Sequence, residues 1–231
     1  MSITENVANI KARIREAAIA AGRDPSEIKL CAATKMNDAD AVRQAIAAGV
    51  DLCGENRVQE LVQKSSENAY EGAPVHFIGH LQTNKVRQVV GKVDLIQSVD
   101  RMKLLTAIQD EAARQGITQK ILLQINIGNE DSKGGFAAGE IGDVLDQLQN
   151  FPNISVCGLM AIPPISQNSG DNCKFFQEMY NLAVDITAKK RNNVSVEILS
   201  MGMSDDFADA IACGSTMIRV GTAIFGPRNY T

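Results

Sequence analysis

The sequence predicts an α/β fold, a single (β/α)8 TIM-type barrel with an extra N-terminal helix. Eight short apolar runs alternate with segments of helical periodicity. Several runs, such as IKLCAAT and KILLQINI, are apolar almost throughout, as expected for parallel strands buried on both faces. The 231 residues are slightly fewer than the roughly 250 of a typical closed barrel. An open doubly wound sheet is the alternative, because periodicity does not reveal closure.

An amphipathic helix from Thr4 to Ala21 is predicted to open the chain. Thr4 is the expected N-cap and Gly22 the expected stop. The helix is followed by an apolar run from Ile28 to Thr34 and by a helical stretch from Asp38 to Ala48, which ends at Gly49. Strand and helix therefore begin to alternate within the first fifty residues.

The alternation then continues to the end of the chain. The remaining predicted strands are Asp51 to Glu55, Val75 to Gly79, Leu95 to Val99, Ile121 to Ile127, Ile154 to Ile162, Val196 to Met201 and Met217 to Phe225. The remaining predicted helices are Val58 to Asn68, Leu81 to Val90, Met102 to Arg114, Ile141 to Leu148, Phe175 to Lys189 and Asp205 to Cys213. Because no linker or low-complexity tract separates these elements, we expect residues 1–231 to form one domain.

Composition limits the classes of partner. The net charge of −4 provides no basic excess for a phosphate backbone, so we expect no nucleic acid partner. The N-terminus lacks the apolar core of a signal peptide, and no stretch reaches the roughly 20 apolar residues that span a bilayer. The five cysteines are odd in number and widely spaced, which indicates buried free thiols. We therefore expect a cytoplasmic protein without a membrane partner. We also expect a monomer, although none of these features bears on the oligomeric state.

Lys35 is the first candidate site residue, because it directly follows an apolar strand. In a (β/α)8 barrel the functional residues lie at the carboxyl ends of the strands. An amine that is partly buried there has a lowered pKa and acts as a nucleophile toward carbonyls, with which it forms Schiff bases. The alternative is an ordinary solvated lysine at a strand end.

The last predicted strand, MIRVGTAIFG, contains a second candidate group. Arg219 lies inside a run that is expected to be buried, so it either reaches the barrel mouth to bind a partner or forms a structural ion pair. Gly221 lets a ligand approach the backbone, and Thr222 adds an amide and a hydroxyl. Ser204, the expected N-cap of the preceding helix, could join them in binding phosphate; the alternative is a simply capped helix. Asp205 and Asp206 are expected in the first turn of that helix, with both carboxylates turned away from the anion.

Other motifs are weaker or absent. His76 and His80 are four apart, but on a strand they would lie about 13 Å apart, so we expect no metal site. His80 is a candidate wall of a pocket; the alternative, which we favour, is a polar residue that is satisfied by its neighbours. The sequence has no CxxC, GxSxG or P-loop, and no GxGxxG after a strand. The commonest hydrolase, NTPase and dinucleotide signatures are therefore missing.

Six segments together carry a more specific resemblance. They are AATK ending at Lys35, GENRVQE (54–60), HFIGHLQTNK (76–85), GLMAIPP (158–164), SMGMSDDF (200–207) and RVGTAIFG (219–226). In this order they resemble the pyridoxal phosphate homeostasis protein family over nearly the whole chain. The resemblance implies a barrel related to the N-terminal domain of alanine racemase. It also implies that the chain binds pyridoxal 5'-phosphate (PLP) and acts in intracellular vitamin B6 homeostasis.

The resemblance assigns roles to residues already singled out and adds Asn56. It implies that Lys35 carries PLP as a Schiff base and that Arg219 faces the pyridine nitrogen. It also implies that Ser204, Gly221 and Thr222 hold the phosphate and that Asn56 lies near the ring. A cofactor that serves as electron sink usually has an acidic residue that protonates its ring nitrogen. A permanently charged arginine cannot fill that role, so it weakens the sink and disfavours demanding carbanion chemistry.

We therefore expect a carrier or regulator without catalytic residues, which hands PLP to PLP-dependent apoenzymes. Racemases of the related fold use a second base, a tyrosine from a separate domain. Here the chain ends at Thr231 soon after the eighth strand, so no second domain is expected, and none of Tyr70, Tyr180 and Tyr230 is evidently placed as that base. The alternatives are a small PLP-dependent amino-acid racemase and a cofactor-free phosphosugar enzyme.

Overall fold

The computed structural model contains a closed parallel β-barrel and describes residues 1–130, 133–164, 168 and 170–226. Eight strands pair in chain order, and the eighth pairs with the first. The predicted (β/α)8 barrel and its N-terminal helix are confirmed, and the open sheet is excluded. The strands are β1 (Lys29–Ala33), β2 (Leu52–Glu55), β3 (Val75–Phe77), β4 (Leu95–Val99), β5 (Gln119–Ile125), β6 (Ile154–Ala161), β7 (Val194–Ser200) and β8 (Met217–Val220).

Helices surround the barrel, in the order that the alternation predicts. They are α1 (Ile3–Ala20), α2 (Ala39–Ala47), α3 (Val58–Ser66), α4 (Met102–Gln115), α5 (Ile141–Gln147), α6 (Cys173–Ala188), α7 (Phe207–Ala212) and α8 (Thr222–Phe225). Short 3-10 helices occupy Pro25–Glu27, Thr83–Gln88, Ala138–Glu140 and Leu148–Asn150. The segment predicted as a helix from Leu81 to Val90 is therefore a 3-10 helix of six residues.

The start of α1 differs from the prediction. The N-cap is Ser2, not Thr4: the Ser2 hydroxyl accepts the Glu5 N–H at 3.2 Å, and the Glu5 carboxylate accepts the Ser2 N–H at 2.7 Å. This reciprocal capping box satisfies two helix-terminal donors at once, which a cap at Thr4 would leave open. Gly22, with a φ of +69°, follows the helix as predicted.

The last strand is also shorter than predicted. It ends at Val220, and the apolar residues that follow, from Thr222 to Phe225, form α8. An apolar run of this length fits a strand or a buried helical turn equally well. Tertiary contacts decide the outcome, because Ile224 packs against α1 and its carbonyl accepts the Asn6 side-chain N–H at 2.8 Å.

The barrel interior combines thin apolar layers with several polar side chains. Cys31, Leu52, Ile78 and Met217 form one interior cluster, and Leu95, Leu122 and Met160 form another. The larger apolar clusters lie between the strands and the helices.

Within the described ranges, no helix is both long and apolar enough to span a bilayer.

All five cysteines are free thiols, as predicted, but their burial differs. Cys31 and Cys53 are buried, whereas Cys157, Cys173 and Cys213 are only partly buried. Desolvation raises the pKa of both Cys31 and Cys53 to about 12. These two thiols therefore stay protonated and behave as small apolar side chains.

Candidate functional site at the barrel mouth

Four of the predicted site residues follow strands that are adjacent in the barrel. In β1, Ala33 is the partner of Gly54 in β2; Lys35 lies two residues beyond Ala33, in the turn after β1, and Asn56 lies two residues beyond Gly54, directly after β2. In β8, Val220 is the partner of Ala32, and a Cβ on Gly221 would lie 3.4 Å from the Ala33 Cβ. The carboxyl ends of β8, β1 and β2 therefore lie side by side, so the segments that contain Lys35, Asn56 and Gly221 begin at the same end of the barrel.

Ser204 lies at the same end of the barrel, in the turn after β7, but it is not the N-cap that the sequence predicted. The following helix, α7, begins at Phe207 and has Asp206 at its N-cap position, so Ser204 does not cap it and Asp205 and Asp206 precede its first turn. The Asp206 carboxylate accepts the Met203 N–H at 2.7 Å and an Asn172 side-chain N–H at 2.9 Å. These contacts fix the turn that carries Ser204, because the Asp206 side chain joins the start of the turn at Met203 to Asn172, the residue before α6.

Arg219 is buried in the barrel, with 5% of its surface exposed. Its guanidinium donates to the Ser200 hydroxyl at 2.6 Å and to the Ala161 carbonyl at 2.9 Å. Burial lowers the pKa of Arg219, and the nearby Cys31 and Asp206 oppose this shift. The hydrogen-bond partners of Arg219 are neutral dipoles, which do not neutralise its positive charge.

A chain of hydrogen bonds extends from Arg219 across the barrel interior. Because arginine can only donate, the Ser200 hydroxyl must donate its own proton to Gln97 Oε1, 2.7 Å away. Gln97 Nε2 then donates to His76 Nδ1 at 2.9 Å. This order of donors and acceptors determines the orientation of the Gln97 amide group, and it places the proton of neutral His76 on Nε2.

His76 provides a pH-dependent test of this chain. Burial lowers the pKa of His76 from 6.5 to about 4, so the native protein resists protonation that the unfolded chain accepts. The resulting stability is present above pH 6.5 and is lost as the pH falls toward 4, by about 3 kcal/mol in total. We expect denaturant unfolding of His76→Gln to lose correspondingly less free energy between pH 7 and pH 4.5 than the wild type loses. Equal losses in the two proteins would contradict the buried, neutral imidazole.

A cavity of about 270 Å³ opens at the mouth, on the side of β2 to β6. Its lining includes Asn56, His80, Asp100, Gln124 and Asn126. His80 lines this cavity, and its Nδ1 also lies 3.3 Å from the buried Asp100 carboxylate, so features of both interpretations of this residue are present. Asn56 Oδ1 is a buried oxygen without a hydrogen-bond partner among the described residues. Such an orphaned acceptor costs free energy unless a ligand donates to it.

The described residues contain no cluster of three histidine, cysteine or acidic side chains suited to a metal ion. The tyrosines considered as a second base have other surroundings. The Tyr70 hydroxyl donates to Glu55 at 3.1 Å, and Tyr180 lies on α6, where its ring would meet a Cβ on Gly214. Tyr230 lies outside the described residues.

Several polar residues of this region were not identified from the sequence. Gln97 and Ser200 are buried polar residues of β4 and β7, but these strands also contain Ser98, Ser195 and Glu197, so neither residue stands out in the sequence as Arg219 does. Glu55 and Lys64 are also buried, yet their pairing joins a strand to a helix and has no local signature.

Comparisons with known proteins show the family and agree with the barrel fold. The profile of the family "Alanine racemase, N-terminal domain" matches residues 4–229. A protein of Pasteurella multocida named pyridoxal phosphate homeostasis protein is 39% identical over 233 residues, covering 100% of both chains. The solved structure of PipY from Synechococcus elongatus with PLP bound is 31% identical, has a TM-score of 0.84, and covers 97% of this chain and 100% of its own. Alanine racemase from Streptomyces coelicolor, 17% identical with a TM-score of 0.69 over 59% of its length, shares the fold.

Proposed function

The chain belongs to the pyridoxal phosphate homeostasis protein family and to the wider alanine racemase N-terminal domain family, and we propose that it binds PLP as a Schiff base on Lys35 and acts in intracellular vitamin B6 homeostasis. One observation carries the proposal. Lys35, Asn56 and Gly221 follow three adjacent strands, β1, β2 and β8, which supports a common site for them at the barrel mouth. The PLP in the PipY structure supports the choice of cofactor.

The residues of the mouth fit the chemical groups of PLP. Lys35 is half-buried and supplies the amine that condenses with an aldehyde. Asn56 Oδ1 offers a buried acceptor in need of a donor, and Arg219 offers a fixed positive charge. The backbone at Gly221 and the hydroxyls of Ser204 and Thr222 suit a phosphate. When bound, PLP would supply a reactive aldehyde and a ring able to withdraw electrons.

We further propose that the protein is a carrier and not an enzyme. Arg219 is placed deep in the barrel without a carboxylate among its described hydrogen-bond partners, so it would present a positive charge and no transferable proton to a bound ring. The Tyr70 hydroxyl is engaged with Glu55, and Tyr180 lies on an outer helix. A cytoplasmic monomer that passes PLP to PLP-dependent apoenzymes remains part of this proposal.

Two measurements on PLP-loaded protein test this function. We expect racemisation of alanine and other amino acids, followed by circular dichroism, to be far slower than the 1–10³ turnovers per second typical of enzymes. We expect an apoenzyme mixed with the loaded protein to regain its activity while the visible absorbance of the carrier declines. Sustained racemisation at about one turnover per second or faster would replace the carrier with the alternative, a small racemase.

A further inference from the structure

A buried ionic cluster lies on the outer side of the barrel wall, behind Lys35. Lys64 of α3 lies 2.8 Å from a Glu55 oxygen and 3.0 Å from a Glu60 oxygen. Glu55 is fully buried and Lys64 is 4% exposed. Neither residue lines the described cavity at the mouth.

Stability alone does not explain this cluster. Taking two charges out of water costs several kcal/mol per ion, and the attraction between them repays this only with excellent geometry. Well-packed apolar side chains of similar volume are often as stable or more stable than a buried ion pair. The role of Glu55 and Lys64 therefore lies in the other contacts that their charged groups make.

Their other contacts hold the main chain on both sides of Lys35. Lys64 Nζ donates to the Thr34 carbonyl at 2.8 Å, and the Thr34 hydroxyl donates to Glu55 at 2.9 Å. Glu60 accepts the Met36 N–H at 2.7 Å. The residues before and after Lys35 are thus fixed to the same three charged side chains.

Met36, whose N–H binds Glu60, has an unusual backbone conformation. Its φ of +61° is in the left-handed region, which costs a residue with a Cβ roughly 1 kcal/mol or more. Such a conformation persists where surrounding contacts impose it, and the bond to Glu60 is a contact of this kind. Glu55 also accepts the Asn56 N–H at 2.9 Å, so the cluster reaches a second residue of the site.

We propose that Glu55, Lys64 and Glu60 form a main-chain clamp that positions the amine of Lys35 for condensation with PLP. The three are positioning residues, since they act through Thr34 and Met36. The inference rests on the proposed function, because it requires Lys35 to be the residue that binds PLP. The clamp acts on the covalent step, whereas phosphate binding depends on the turns after β7 and β8.

Glu60→Ala tests the clamp, because it removes the Met36 contact and leaves the buried Glu55–Lys64 pair in place. Two ligands separate the covalent step from the rest of binding: PLP, and pyridoxine 5'-phosphate, which lacks the aldehyde. We expect PLP affinity and the rate of colour formation to fall about tenfold, with pyridoxine phosphate affinity unchanged within twofold. Gln63→Ala, at an exposed position of the same helix, is the matched control and should leave both affinities unchanged.

Lys64→Met adds a second test, read together with its unfolding midpoint. If Lys64→Met folds, we expect it to lose PLP affinity while it keeps its affinity for pyridoxine phosphate. If it does not fold, the result for Glu60→Ala alone tests the clamp. The clamp is overturned if both ligands weaken equally in Glu60→Ala, or if PLP binding and its rate are unchanged while borohydride labels Lys35 in the wild type. Labelling of the wild type elsewhere would instead refute the proposed function, and the clamp with it.

Discussion

Lys35→Ala should eliminate the visible absorbance of the protein after incubation with PLP and weaken PLP binding by on the order of 100-fold, about 2.8 kcal/mol. The substitution removes the amine that we propose condenses with the aldehyde, whereas the groups proposed for the phosphate remain. Residual, colourless binding is therefore expected. The absorbance spectrum and an equilibrium titration measure the two effects separately.

Lys29→Ala is the matched control for this substitution. Lys29 stands at the opposite end of β1, where its Nζ lies 3.9 Å from Asp51. An exposed pair of this kind contributes less than about 1 kcal/mol to stability, and it is remote from the barrel mouth. Colour lost equally in both variants, or retained in Lys35→Ala, would contradict the assignment of the amine.

Arg219→Met should weaken PLP binding by roughly 10- to 100-fold, since a charged hydrogen bond to a ligand contributes about 1.5–3 kcal/mol. The free protein should still fold. Losing the bonds to Ser200 and Ala161 is destabilising, but removing a buried charge is stabilising, so the two effects oppose each other. We expect a net change in unfolding free energy of less than about 2 kcal/mol, measured by denaturant titration.

The exposed Arg114, which pairs with Glu111 on α4, provides the control variant Arg114→Met. It removes the same charge from the chain without changing the barrel interior, so PLP affinity should stay at the wild-type value. If Arg219→Met also binds PLP as the wild type does, Arg219 does not face the cofactor. A large loss of stability without ligand would instead show that its role is structural.

The barrel was predictable because its signal is local and repeated. Strands such as β1 and β5 are buried on both faces, which imposes continuous apolar runs that few other structures require. Parallel strands must be joined by crossover connections, and the helices between the predicted strands supply them, so the alternation predicts a parallel sheet. Closure between β1 and β8 depends on contacts between the two ends of the chain, and no local pattern reports it.

The errors at element ends also have physical causes. The apolar residues after Val220 continue a strand in the sequence but fold into α8, because α1 covers them. Ser204 precedes a helical pattern, which is typical of an N-cap. In the structure the Asp206 carboxylate accepts the Met203 N–H instead, and the helix begins only at Phe207. Both outcomes depend on contacts that local propensity does not contain.

The site was predictable in part. Lys35, Asn56 and Gly221 follow strands, so the barrel topology alone brings them to one end. Their roles toward PLP stay predictions. The chain from Arg219 to His76 could not be predicted, because Ser200 and Gln97 are 103 positions apart and meet only after the barrel closes.

Mass mapping of the borohydride-reduced, PLP-treated wild-type protein tests the central claim most directly. Reduction makes the bond between an amine and PLP permanent, so the modified peptide reports which lysine reacted. We predict the pyridoxyl phosphate mass on the peptide that carries Lys35, in about one copy per chain. A label confined to another lysine, with unmodified Lys35 recovered in full, would contradict the account.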